Sequence, residues 1–127
     1  MPLIHFIHLT EPQTWAIGAA LALMLLDIVT GFIAAAINNA ISSSKMRAGL
    51  GHKVALVCLI ILALMVEVAS EHIAGLGFGG VMTVTVCAYI IVMEVASVCE
   101  NICKADPDLV DTPVMKLFNH EDKGEAR

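Results

Sequence analysis

The sequence predicts an all-α membrane protein: three transmembrane helices followed by a short cytoplasmic C-terminal amphipathic segment. Three observations carry that prediction. Hydrophobic residues make up 58% of the 127-residue chain and charged residues only 15%, against an apolar share of about 45–50% in an ordinary soluble domain. The apolar residues gather in three runs, each long enough as a helix to cross roughly 30 Å of hydrocarbon. Each run also carries one lone acid, Asp27, Glu67 or Glu94. A carboxylate near the centre of a spanning helix costs about 2.5–3.5 kcal/mol on insertion scales, so each acid marks a place where water, a partner or a proton must be found.

The first span is expected at about 14–40. Thr10-Glu11-Pro12-Gln13 has the spacing of a capping box with Pro in the first turn, and Trp15 suits the membrane interface. The preceding segment, 1–12, has no Lys or Arg and no small-residue cleavage site, so a removable secretory signal is not expected and the first span should stay in the mature protein. The run dissolves into Asn38, Asn39 and Ser42 to Ser44.

The second span is expected at 51–71, with Val54 to Val66 uninterrupted. Glu71, His72 and the glycine-rich stretch Gly75 to Gly80 then form a turn between two spans. The third, at 78–100, completes a transmembrane domain over 13–101. Glu100, Lys104, Asp106 and Pro107 return the chain to water. Within the remaining cytoplasmic segment, 102–127, the stretch Asp111 to Phe118 has Pro113 in an early position and is expected to begin a short amphipathic helix on the inner surface.

Lys45, Arg47 and Lys53 lie between or beside the first two spans, and Lys104, Lys116, Lys123 and Arg127 follow the third. The N-terminal segment and the second turn have no Lys or Arg. The positive-inside rule therefore puts the N-terminus outside and the C-terminus in the cytoplasm of a bacterial cell. Lys45, Arg47 and Lys53 also become candidates for contact with anionic headgroups.

Helical spacing places Ala20, Met24, Asp27, Gly31, Ala34 or Ala35, and Asn38 on one face of the first span, a small and polar stripe that should avoid lipid. Thr83, Cys87, Ile90, Glu94, Ser97 and Asn101 make a similar stripe on the third, close to Glu100. These polar positions are candidates for assembly or for lining a pore. Gly18, Ala22, Gly31 and Ala35, in small-xxx-small pairs, are candidates for helix packing. Glu67 lies near the polar end of its span and reads as a boundary residue reaching water. With Asp27 near mid-depth, Glu67 near the outer boundary and Glu94 near the inner one, the three acids are not expected to form a single cluster.

Other chemistries find little support. A net charge of −5, with seven Lys and Arg spread along the chain, argues against nucleic acid. No Ser-His-acid constellation or phosphate-cradling loop is evident, so neither catalysis nor a cofactor is expected. Cys99 and Cys103 are one helical turn apart, but His5, His8, His52, His72 and His120 are scattered and no metal site is expected. The four cysteines do not resemble a secreted disulfide framework.

Asp27-Ile28-Val29-Thr30-Gly31, then Ser43-Ser44-Lys45 with Gly49 and Lys53, then Glu94-Val95-Ala96-Ser97-Val98-Cys99-Glu100-Asn101, with Pro107 and Pro113 downstream, resemble the phage holin family that includes clostridial toxin-secretion holins. The resemblance covers about 20–118. It implies a small protein of the cytoplasmic membrane that self-associates and permeabilises the bilayer so that an endolysin, or a secreted toxin, crosses. By position it also implies that Asp27, Gly31, Ser44, Lys45, Gly49, Lys53, Glu94, Ser97, Glu100 and Asn101 serve helix packing, topology and assembly. The expected partners are copies of itself, the lipid bilayer, and an endolysin or exported protein. Two other classes stay open: a small oligomeric ion channel or proton-coupled transporter subunit, in which Asp27 and Glu94 bind or relay cations, and a passive membrane anchor or assembly factor.

Overall fold

The computed structural model describes residues 8–78 and 80–118. Residues 1–7 of the expected outer segment, Gly79 of the turn and the tail 119–127 lie outside the described residues. Three long helices follow in order: α1 (Glu11–Ile37), α2 (Ser43–His72) and α3 (Met82–Ala105). A short 3-10 turn at Pro107–Leu109 then leads to α4 (Pro113–Phe118). At about 1.5 Å per residue the long helices measure roughly 40, 45 and 36 Å, and all three are apolar and long enough to cross a membrane. The chain is thus an all-α protein with three membrane-spanning helices and a short C-terminal helix.

The capping box expected at the first span is present. Thr10 Oγ1 accepts from Gln13 N at 3.3 Å, and Gln13 Oε1 accepts from Thr10 N at 2.8 Å. Each side chain satisfies an amide that the start of a helix would otherwise leave open. Thr10→Ala is expected to cost about 1 kcal/mol, visible as faster hydrogen exchange confined to the first turn of α1.

Helix α2 begins well before its apolar run. Ser42 Oγ accepts from Lys45 N, and the helix then continues through Lys45, Arg47, Gly49 and Gly51. About 12 Å of basic, glycine-containing helix therefore precedes the hydrophobic segment. The turn after α2 uses Gly75 at φ 87° and Gly77 at φ 75°, backbone conformations that a Cβ would strain.

Contacts at the two ends fix the topology. The N-terminal part of α1 and the start of α3 both meet Glu67 near the end of α2. At the opposite end, Asn38 Nδ2 donates to Lys104 O at 3.0 Å. So α1 and α3 run parallel, and α2 runs antiparallel to both. The α1–α3 contact is the most extensive, while α2 packs less closely, chiefly against α3.

Between the ends, Ala20, Met24, Leu56, Ile60, Cys87 and Ile90 form a buried apolar cluster. The stripe read on α1 turns inward, with Ala20, Met24 and Ala34 buried and Asp27 and Gly31 half-buried. The stripe on α3 does the same: Thr83, Cys87, Ile90 and Glu94 are buried, and Ser97 and Asn101 half-buried. Large apolar side chains such as Leu25, Leu62, Met65 and Val92 face outward. In a bilayer that is the stable arrangement, because lipid solvates Leu and Val as well as a protein interior does while polar groups need each other.

Helix α4 folds back onto the bundle. Met115 is buried beside a groove lined by Leu23, Leu26, Val98, Ile102 and Leu109, while Val114, Leu117 and Phe118 stay exposed.

Candidate functional site

Polar side chains meet at two levels of the bundle, one on each side of the apolar cluster. The first junction is built around Lys53. Its Nζ lies 2.6 Å from Asp27 Oδ2 and also bonds Glu94 Oε2, so one ammonium from α2 bridges carboxylates of α1 and α3. The Lys53 residue is 8% exposed and Glu94 2%. Asn101 extends the network: its Nδ2 donates to Asp27 Oδ1 at 2.8 Å, and lies 3.2 Å from both Asp27 O and Thr30 Oγ1. Two carboxylates and one ammonium leave one net negative charge when all are ionised, which the Asn101 amide helps to solvate.

Gly31 of α1 stands directly against the Asn101 side chain. A Cβ built there would stand 3.4 Å from Asn101 Nδ2. Gly31→Leu is expected to push Asn101 off Asp27 and cost about 1–3 kcal/mol by overpacking, with Gly31→Ala much milder. Thermal unfolding of the purified protein in detergent ranks the two.

The second junction centres on Glu67, which is 2% exposed. Its Oε2 accepts from Gln13 Nε2 at 3.1 Å, from Thr83 N at 3.1 Å and from the Thr83 hydroxyl. Its Oε1 has no hydrogen-bond partner among the described residues. Val81, at the N-cap of α3, supplies no side-chain cap. Glu67 fills that role from another helix, placing a carboxylate on the first turn of α3, where open amides and the helix dipole favour negative charge. The boundary role read for Glu67 is thereby corrected. The carboxylate does not reach water, because Gln13 and Thr83 enclose it from two other helices.

The three acids do not form one cluster, but Asp27 and Glu94, read at different depths, are brought together by Lys53, which reaches both. Glu67 does stand apart from them. The pairs Gln13–Glu67 and Asp27–Lys53 are each fourteen residues apart on both helices (13 to 27 on α1, 53 to 67 on α2), about 21 Å along the axis.

The other candidate residues are dispersed. Asn38 is exposed and bridges Ala34 O to Lys104 O. Glu100 is exposed and pairs with Lys104 at 2.7 Å. Ser97 and Ala35 are half-buried beside a groove between α1 and α2. Gly18 and Ala22 lie on the outer surface of α1, with nothing within 4 Å of a Cβ built at Gly18. Lys45 and Arg47 are exposed, unlike Lys53.

A family model described as the bacteriophage holin family matches residues 8–117. The chain belongs to the bacteriophage holin family. No curated protein and no solved structure showed significant similarity to it. The match takes in all three spans, both polar junctions and most of α4, so the family assignment rests on the whole bundle. Family and helices together make this holin an integral protein of the cytoplasmic membrane. Holins are generally non-enzymatic, and the arrangement of Lys53, Asp27 and Glu94 reads as charge pairing between helices.

Proposed function

We propose that this holin accumulates in the cytoplasmic membrane, self-associates and opens a lesion through which an endolysin, or an exported toxin, crosses. The N-terminus lies outside and the C-terminus in the cytoplasm. The family match carries the permeabilising activity, and the buried junctions suggest how the chain stays harmless before triggering. A single copy keeps Asp27, Lys53, Glu94, Glu67 and Thr83 inside and shows lipid mainly apolar side chains. A water-filled lesion needs polar walls. Opening therefore exposes the stripes of α1 and α3, Asp27, Gly31 and Asn38 on one, Thr83, Glu94, Ser97 and Asn101 on the other, and the junctions separate or exchange partners between copies. Gly18 and Ala22, small and outward-facing, are where a second copy packs closely against α1.

Induced expression in bacteria with a co-expressed cytoplasmic endolysin tests this. The expected result is potassium efflux together with endolysin release and lysis. The ion-paired cluster within the membrane favours a second reading, an ion channel or proton-coupled transporter subunit. Ion flux with the endolysin retained would select it. Cysteine labelling at the α1 start and beyond α3 tests the orientation, which fails if the α1 start is reached only from the cytoplasm.

A further inference from the structure

A groove of about 440 Å³ opens between the C-terminal half of α1 and the N-terminal half of α2, a size within the roughly 300–1,000 Å³ typical of ligand pockets. Ile28 and Phe32 from α1 and Met46 and Leu50 from α2 give it an apolar strip, while Asp27, Ser97 and Asn101 make a polar side deeper in the bundle. Lys45 and Arg47 stand on its lining. Both are exposed, and neither pairs with a carboxylate among the described residues. The third basic residue of the lining, Lys53, is already committed to Asp27, which also lines the groove, and to Glu94 behind it. The first turn of α2 contains no acid, so its helix dipole adds to the positive field.

We infer that this groove holds an anionic phospholipid of the surrounding bilayer. Its phosphate meets Lys45 and Arg47, and an acyl chain lies along Phe32 and Leu50. Charge and shape select the occupant together. Two unpaired cations beside an apolar trough that opens sideways suit a molecule with a negative head and a hydrocarbon tail. A free phosphate would leave the trough unfilled, and an uncharged lipid would leave the cations unmatched. The inference rests on the membrane-spanning reading and on nothing further about lysis. It gives Gly49 a role as well: nothing lies within 4 Å of a Cβ built there, so glycine leaves the groove open.

The purified protein in detergent, offered phosphatidylglycerol or phosphatidylcholine of identical chains and examined by native mass spectrometry, provides the test. Wild type is expected to retain phosphatidylglycerol preferentially, and excess inorganic phosphate is expected not to displace it. Lys45→Gln/Arg47→Gln should weaken retention about 30-fold, the effect of removing two near-surface cations, while Lys45→Arg/Arg47→Lys keeps it. Gly49→Leu retains both charges, replaces a poor helix former with a good one and is expected to lose the lipid by filling the groove. Equal retention of the two lipids, displacement by phosphate, or undiminished retention by Gly49→Leu overturns the inference. Potassium efflux and endolysin release measured on the same variants report on the proposed function separately, since lipid retention without permeabilisation would overturn only that function.

Discussion

Lys53→Met is expected to be among the most damaging single substitutions in the chain. It leaves the Asp27 and Glu94 carboxylates facing each other inside the bundle with no cation between them, and breaking a buried ion pair in this way typically costs about 3–5 kcal/mol. The bundle is expected to unfold at markedly lower temperature in detergent and to accumulate poorly in the membrane. The triple variant Lys53→Met/Asp27→Asn/Glu94→Gln is expected to recover most of the loss, because an uncharged cluster has no unmatched charge to solvate. If Lys53→Met alone melted like wild type, the bridging role of Lys53 would be wrong. If the triple variant were no better than the single one, packing rather than charge would account for the damage.

Glu67→Leu is expected to be comparably damaging. It strands the Gln13 amide, the Thr83 backbone N–H and the Thr83 hydroxyl, at about 1–3 kcal/mol for each donor left unsatisfied in the interior. The effect should be local, with hydrogen exchange accelerating over the first turn of α3 before the rest of the helix. Glu67→Gln should be milder. Its carbonyl oxygen can accept the bonds that converge on Oε2, although its amide then occupies the place of Oε1, which has no partner among the described residues. In cells, Glu67→Gln is expected to advance the onset of permeabilisation, because a weaker junction separates sooner. A weakened bundle with unchanged timing would disconnect that junction from opening.

Much of this was legible in the sequence. The period of Ala20, Met24, Asp27 and Gly31, and that of Thr83, Cys87, Ile90 and Glu94, identified the inward faces of α1 and α3, because helical spacing alone decides which residues share a face. Thr10 and Gln13 announced the helix start. What stayed hidden was register between helices. Nothing local says that Gln13 lies level with Glu67, or that Lys53 reaches two carboxylates on different helices. Lys53 looked like a topology signal because it sits at the edge of its apolar run, and Glu67 looked like a boundary residue for the same reason. Yet once Asp27 is paired with Lys53 in an antiparallel hairpin, Gln13 falls opposite Glu67. That match of polar residues four turns apart was a signal available without coordinates. The early start of α2 was concealed by Gly49, Gly51 and the basic residues, whose composition resembles a loop.

The attachment of α2 has a mechanical consequence. α1 and α3 meet most extensively, but α2 packs less closely, and contact between apolar side chains holds helices together weakly when lipid competes for the same surface. Its firm attachments are Lys53 near one end and Glu67 near the other. A rod pinned at two points can swing about either one when the other lets go, and it drifts free only when both do. Loss of either pin should therefore leave a hinged bundle, and loss of both a detached α2, with the stability effects of Lys53 and Glu67 substitutions failing to add. The parallel pair α1–α3 would remain as the frame about which that rod turns.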